Sequence, residues 1–436
     1  MQTFPLIIGL FVAGLTNAFQ ENIEKATSCS RSPLVREAQL VCSAPQAKRQ
    51  RQTSFKDDTP GLWKKSDQRY QPPSDYKLPP SWKGPEKCFQ EFCLFSNPNF
   101  GEGMSLITTS RIAYLASKAP VTSISGLQPT AYYEAEVPGK GAGLFANRTI
   151  HRGEIIFQRH PVLAIQSTPH LDLDPRVREE LYQAAIDRLP QETRARFLRQ
   201  VGTTMYDKAE KNAFRIFLDG SRKHSPHLGL FPEVSKINHD CRPNIHYRIT
   251  DFTHTTVAVR DIHPGEELTV SYIYGKTLHA DRQKQLHEWG FNCTCSQCTL
   301  PPLEIGASDN RIRQIKALEN EIETLMAHPG GKGVKPEMGG KLVELYVAER
   351  LDAYLAPTYT RAALLYSMFG SEERARVFAT EAMAALEREV GPQAKDIESM
   401  RRLAEDPKGH WSWGIKVTSG TGASEVGRNE TRRSGK

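Results

Sequence analysis

The sequence predicts an α+β protein: short β-sheets broken by a helical insert, then an all-α region of repeat-like helices. Three observations predict it. Apolar and polar residues alternate at Tyr133, Ala135 and Val137, at Ile245, Tyr247 and Ile249, and at Leu268, Val270 and Tyr272. That period of two marks half-buried strands. Between 170 and 230 the period changes, and Val177, Leu181, Ala184, Ala185 and Leu189 share one helical face. After Cys298, helical periods take over.

Each element follows in order. Residues 1–18 hold an apolar run, Pro5-Leu6-Ile7-Ile8-Gly9-Leu10-Phe11-Val12-Ala13-Gly14-Leu15, and then Thr16-Asn17-Ala18. This resembles a secretory signal peptide and is too short to span a bilayer. Residues 19–87 are polar, with Pro72-Pro73 and Pro79-Pro80, and read as a disordered linker. Residues 88–131 form an N-terminal extension, with a short helix expected at 110–116. The β-rich body spans 132–275. Short strands are expected at 155–157 and 162–165, a second insert helix at 192–201, and a strand pair at 245–249 and 255–259.

Residues 276–300 are a cysteine-bearing segment. A helical domain covers 301–405. Its first stripe is Ile312, Ile315, Leu318, Ile322 and Leu325, capped by Ser308 or Asp309. Leu342, Leu345, Tyr346 and Leu355 belong to a second helix that ends before Pro357. Residues 363–369 and 375–386 form a hairpin through Gly370-Ser371, and Ala379, Ala382 and Ala385 suit close packing. The pattern looks like tetratricopeptide helices. Residues 406–436, rich in Gly, Ser, Thr and Arg, form a loose tail.

A chain of 436 residues accommodates two or three compact units. The formal charge is 57 − 50 = +7, and much of it lies in flanking runs such as Lys48-Arg49-Gln50-Arg51 and Arg432-Arg433. A nucleic-acid footprint needs such charge on one folded face, so no nucleic-acid site is evident. Lys48-Arg49 suits a processing site and a solvated dibasic pair equally well. The eight cysteines form two sets. Cys29, Cys42, Cys88 and Cys93 precede the body; in an oxidising compartment they allow three pairings, of which Cys88–Cys93 is favoured. Cys241, Cys293, Cys295 and Cys298 lie within the body and the segment after it.

The chemistry concentrates in Asn238-His239-Asp240-Cys241-Arg242-Pro243-Asn244, Gly265-Glu266-Glu267-Leu268, Tyr272 and Cys293-Thr294-Cys295-Ser296-Gln297-Cys298, with Lys140-Gly141-Ala142-Gly143-Leu144-Phe145 upstream. Gly141 and Gly143 let backbone approach a ligand closely. The Asn238 amide both donates and accepts, so it suits an amine and a carboxylate at once. Three thiols from one loop plus Cys241, about fifty residues earlier, suit a tetrahedral zinc ion. Disulfides among the four, or free thiols, are the competing arrangements.

Taken together and in order, these motifs resemble the SET-domain protein lysine methyltransferases, over roughly 132–298. They are most similar to the group with a long insert and a cysteine-rich post-SET segment, and the C-terminal helices look like those of SET-and-MYND-type enzymes. No MYND zinc module is visible, and Ser271 stands where the family usually has Asp. The resemblance implies a SET-type fold of short sheets with the insert at 170–230, a post-SET zinc segment at 276–300, and two cofactors, S-adenosyl-L-methionine and Zn2+. It implies cofactor contacts from Gly141, Ala142, Gly143, Asn212, Asn238, His239 (through ring or backbone), Tyr272 and Phe291, the last stacked on adenine. Tyr272 is the implied catalytic residue, and Phe231 and Tyr274 would line the substrate lysine channel. Cys241, Cys293, Cys295 and Cys298 would bind the metal. Glu266 and Glu267 suit a strand entry and receive no catalytic role.

The expected partner is a protein substrate bearing a lysine. Two alternatives stand beside this reading. One is a SET-fold scaffold that has lost catalysis, favoured by Ser271 and the signal-like start. The other is a secreted, disulfide-rich interaction protein. The start favours the secretory route, whereas the family's chemistry favours nucleus or cytoplasm. Asn147-Arg148-Thr149, Asn292-Cys293-Thr294 and Asn429-Glu430-Thr431 read as glycosylation sequons; a glycan at Asn292 would crowd the zinc loop.

Overall fold

A computed structural model describes residues 76–119, 131–218, 226–250, 252–327, 333 and 335–415. The signal-like segment, the Lys48-Arg49 pair, Cys29, Cys42 and the Asn429 sequon lie outside the described residues. The chain divides into two compact units, one ending at Ile305 and the other beginning at Gly306.

The first unit is mixed α+β. Strands β1 (Lys83–Phe89), β2 (Phe92–Asn97) and β3 (Met104–Thr109) precede helix α1 (Ser110–Ala116). Hairpin β4 (Tyr132–Val137) and β5 (Gly141–Ala146) follows, then β6 (Ile155–Arg159) and β7 (Leu163–Gln166). Four helices come next: α2 (Ser167–Asp172), α3 (Pro175–Asp187), α4 (Gln191–Leu198) and α5 (Met205–Asn212). Then come β8 (Ala213–Phe217), β9 (Pro226–Leu230), β10 (Asn238–His239), β11 (Ile245–Thr250), β12 (Thr253–Ala258), β13 (Thr269–Val270) and α6 (His279–Glu288).

The strands form a six-stranded sheet in the order β1-β2-β3-β7-β9-β8 and a three-stranded sheet β11-β12-β6. Two short pairs, β4-β5 and β10-β13, complete the unit. Central strands β2 and β7 are buried on both faces, which is why their sequences read as near-continuous apolar or small residues. Helix α3 begins where Asp174 accepts from the backbone N–H groups of Arg176 (2.9 Å) and Val177 (3.4 Å), with Pro175 in its first turn. It buries Leu181, Tyr182, Ala185 and Ile186.

The second unit is all-α. It contains most of α7 (Pro302–Ala327), then α8 (Glu337–Ala348), α9 (Leu355–Met368), α10 (Glu372–Glu389) and α11 (Lys395–Glu405). Ala375, Ala379, Ala382 and Ala385 of α10 are all fully buried, so small side chains do set close packing here. A Cβ on Gly339 of α8 would come within 2.8 Å of the Ala362 Cα of α9, so this helix crossing requires glycine. Buried Glu389 accepts from the backbone N–H groups of Leu355 and Ala356, both at 3.1 Å, and so caps the first turn of α9 with a negative charge.

Several boundaries differ from expectation. Ordered chain begins before residue 88: Trp82 is buried and β1 starts at Lys83. Cys88 and Cys93 are disulfide-bonded across the β1–β2 hairpin. The 170–230 insert is not purely helical, because β8 and β9 extend the large sheet within it. Each is only five residues long and carries no clean alternation.

Helix α7 starts at Pro302 rather than at Ser308; that serine is buried and its hydroxyl donates to Glu349 Oε1 at 2.5 Å. Leu355 opens α9 instead of closing α8, with Pro357 in the first turn, where a missing N–H costs no hydrogen bond. Residues 406–415 are packed rather than loose, and 416–436 lie outside the described residues. Ser412 is fully buried with its hydroxyl 2.7 Å from that of Ser367, and the Gly414 N–H reaches the Ser367 carbonyl at 3.0 Å.

Candidate active site and metal centre

The site forms where two segments are pinned to β5. The first is 265–268, whose Gly265 N–H donates to Ala146 O (2.8 Å) and Leu268 N–H to Leu144 O (2.7 Å). The second is the Asn238–Asn244 turn, whose Asn238 Nδ2 donates to Ala142 O at 3.1 Å. Buried Asn244 ties the second segment to the first and to the residue after it: its Nδ2 donates to Glu267 O at 2.8 Å and its Oδ1 accepts from Thr269 N–H at 2.8 Å. Strands β10 and β13 are therefore short and parallel, pairing Asn238 with Thr269 and His239 with Val270.

At the glycine turn, Gly141 has φ +76°, a left-handed conformation that favours glycine. Gly143 is needed for space. A Cβ there would lie 2.7 Å from Val137 Cγ2, 2.9 Å from Glu267 Oε1 and 3.1 Å from Asn238 Nδ2. We expect Gly143→Ala to displace the Asn238 side chain and destabilise the unit by about 1–3 kcal/mol, the usual cost of overpacking. Thermal melting checks this; an unchanged midpoint would remove the packing argument.

His239 is buried, and desolvation pushes its imidazole down to about 3, so it is neutral. Its Nδ1 accepts from the Tyr272 backbone N–H at 2.9 Å. The ring proton therefore sits on Nε2, which lies 3.2 Å from Cys241 Sγ and donates to it. Both ring nitrogens are engaged within the protein. Of the two contacts expected of His239, through ring or backbone, the ring is taken up within the protein and its main chain is what remains for a ligand.

Tyr272 is buried and stands just after β13, not within a strand. Its hydroxyl donates to Ile237 O at 2.7 Å. Its ring packs 5.0 Å from Trp289, 5.3 Å from His239 and 6.3 Å from Phe291. The strand expected over 268–272 stops at Val270 because the Ser271 hydroxyl donates to Ile273 O at 2.7 Å and turns the chain. Tyr274 therefore lies outside the strand and shares no strand face with Tyr272. Tyr274 is half-buried, with the Lys276 ammonium 5.3 Å from its ring centre.

Cys241, Cys293, Cys295 and Cys298 converge with all four sulfurs within 4.8 Å of one another, each buried. Helix α6 and the turn after it set the loop: Gln283 accepts from Cys293 N–H (3.1 Å) and donates to Cys293 O (2.9 Å). Hydrogen bonding to Cys241 holds Cys295 at about 5 and Cys298 below the usual thiol range, while the hydrogen bond to Cys293 drives Cys241 up. Sulfurs this crowded cannot all ionise unless a cation sits among them. Four buried thiols converging within 4.8 Å suit zinc, and the disulfide arrangement among them is not what the structure holds, since all four are free.

Not every expected site residue joins this cluster. Asn212 ends α5, and its Nδ2 donates to Lys208 O in the same helix and to Val201 O in the chain before it, both at 2.7 Å. Phe231 is buried in an aromatic group with Phe214 (5.7 Å) and His254 (5.3 Å). Three contributors escaped the sequence reading: Glu267, which binds Asn238; Trp289, which covers Tyr272; and Arg282, a buried arginine beside the sulfurs. Only Glu267 carried a signal, its place in Gly265-Glu266-Glu267 opposite the glycine turn.

Comparison with known proteins follows the same residues. Residues 141–273 match the family model for the SET domain. The chain is 28% identical over 291 residues to "Histone-lysine N-methyltransferase set5" of Schizosaccharomyces pombe, covering 64% of this chain and 85% of that protein. It is 28% identical over 126 residues to "N-lysine methyltransferase SMYD2-B" of Danio rerio, 29% of each chain. With "Histone-lysine N-methyltransferase SMYD3" of Homo sapiens it shares 32% identity over 105 residues, 23% of this chain and 24% of that one. The match thus spans most of the yeast protein and less than a third of the two vertebrate ones.

Proposed function

From a SET domain related to those of the SET-and-MYND enzymes, we infer that this chain is a protein-lysine N-methyltransferase, and we propose S-adenosyl-L-methionine as its methyl donor. The observation that supports this best is the convergence of the glycine turn, Asn238, His239 and Tyr272 on β5 and the metal centre. Gly141, Ala142, Gly143, Asn238, the His239 main chain and Phe291 would hold the cofactor. Bound there, it supplies a methyl group made electrophilic by a sulfonium.

The residues of the chain do the rest by positioning. The acceptor lysine must arrive neutral, since an ammonium has no lone pair to attack with. The Tyr272 hydroxyl has its proton committed to Ile237 O, so toward an amine it acts as acceptor. Accepting an amine N–H turns the nitrogen lone pair in one direction. Trp289, Phe291 and His239 pack around the phenol and keep it from swinging. A zinc ion among the four cysteines would fix the 293–298 loop against Cys241, and with it Phe291 and Trp289.

The scaffold alternative drew on Ser271, yet that side chain is buried and shapes the turn that presents Tyr272. Incubating the purified chain with methyl-labelled S-adenosylmethionine and a protein lysate should label protein, with methyl-lysine recovered after acid hydrolysis. No methyl-lysine above a heat-denatured control would overturn the activity and leave the scaffold reading.

A further inference from the structure

We propose that the Cys88–Cys93 bridge is a redox-operated clip: a dithiol opens it, and its opening releases β1 from the edge of the six-stranded sheet. Little else holds β1. Its seven residues meet β2 at three positions, Lys83 with Ser96, Glu86 with Leu94 and Phe89 with Phe92, and the register breaks between each. Glu86 and Phe89 are half-buried and the other five residues are exposed, so β1 buries little apolar surface. Pro85 has no N–H to give to the ladder. Lys87 (φ +42°) and Gln90 (φ +53°) hold left-handed conformations that a Cβ disfavours. Strand β2 is the opposite case. All six of its residues are buried, and they pair with β3 in unbroken register from Phe92–Thr109 to Asn97–Met104. Opening therefore stops at β2.

Two further contacts do not replace the bridge. Trp82 is buried with its ring 5.8 Å from Phe100, but it precedes β1 and anchors that end only. Glu86 pairs with Arg188 at 2.6 Å, an exposed ion pair that adds little. The bridge can be reached from solvent, because Cys88 is exposed while Cys93 is fully buried. A thiolate attacks the Cys88 sulfur, and Cys93 leaves as a thiolate and takes up a proton. The second thiol of the reductant then displaces Cys88. One dithiol becomes a cyclic disulfide, and the chain gains two thiols. The four reduced sulfurs elsewhere in the same unit persist best where dithiols are present, which is the setting in which an exposed bridge exchanges.

Hydrogen exchange of the full chain, with and without a trialkylphosphine, tests this. The phosphine cuts the bridge, water supplies the oxygen, and the phosphine is left as its oxide. Reduction should raise exchange over residues 83–89 about tenfold or more and leave residues 104–109 within about twofold, as a local opening does. Cys88→Ser should exchange over 83–89 like the reduced wild type, whether or not the phosphine is present.

Reduced wild type that exchanges over 83–89 within about twofold of the oxidised chain overturns the proposal. So does a Cys88→Ser chain that exchanges like the oxidised wild type, a bridge that is cut only after denaturation, or a purified chain without the bridge under non-reducing conditions. If exchange rises equally over 83–89 and 104–109, the bridge secures the whole sheet and the clip is overturned. Should Cys88→Ser not fold, alkylation of the native wild type replaces it. Cys88 should react once the phosphine is added, and a Cys88 that stays unreactive sinks the proposal.

Discussion

If zinc occupies the four cysteines as proposed, a chelator is expected to open residues 238–298 and abolish cofactor binding, the largest single effect expected in this protein. Four buried sulfurs within 4.8 Å join two distant segments, with Cys241 and Cys298, 57 residues apart, at 3.5 Å. Structural zinc contributes on the order of 10–16 kcal/mol to folding in small zinc modules. The surroundings suit a charged thiolate cluster. Arg282 is almost wholly buried; burial works against its charge, but Cys241 and Cys298 beside it hold that charge in place. Its Nη1 also donates to Thr277 O at 2.8 Å, which anchors α6 to the chain just after Tyr272.

Purified chain should contain about one zinc ion, the stoichiometry of a four-thiolate site. Chelation, or Cys298→Ser, should expose Cys241 to thiol reagents and residues near 290 to protease. Equal labelling of Cys241 with and without chelator would dismiss a structural metal.

Replacing Tyr272 by Phe should lower methyl transfer by on the order of 10²-fold or more, the scale of losses when a reacting group is misplaced. The substitution keeps the ring contacts with Trp289, His239 and Phe291 and removes the oxygen. It leaves the Ile237 carbonyl without its 2.7 Å donor, which should cost about 1 kcal/mol of stability. Zinc content and affinity for S-adenosylhomocysteine should stay near wild type. Single-turnover rates with saturating cofactor separate the two effects. A variant that transfers methyl at the wild-type rate would remove Tyr272 from the mechanism.

How much of this was legible in the sequence depends on the range of the interaction that fixes each part. Spacing revealed the four cysteines, because metal ligands must be specific residue types and three of them share one loop. The glycine turn and Asn238-His239 were legible for a similar reason. Strands β4, β6, β7, β11 and β12 showed their alternation or apolar runs. The end of β13 was not legible, since a single hydroxyl, that of Ser271, decides it. Strands β8 and β9 were hidden because their pairing with β7 is long-range and their five-residue sequences carry weak patterns. Asn212 was assigned by motif, yet its amide is claimed locally by Val201 and Lys208. Ring and backbone of His239 stayed equal candidates for a ligand because the sequence cannot say that a backbone N–H and a sulfur already face the two ring nitrogens.

The two hydrogen bonds of the His239 imidazole have a consequence for how the molecule matures. One nitrogen faces a sulfur of the metal cluster and the other faces the main chain of Tyr272. Synthesis runs from the N-terminus, so every pocket residue from Gly141 to Tyr272 leaves the ribosome before Cys298 does. Until that last thiol emerges, the four-sulfur cluster that would hold the proposed ion is incomplete. A chain truncated at residue 297 would carry Gly141 through Phe291 yet lack the fourth sulfur, and is expected to bind cofactor less well than the full chain.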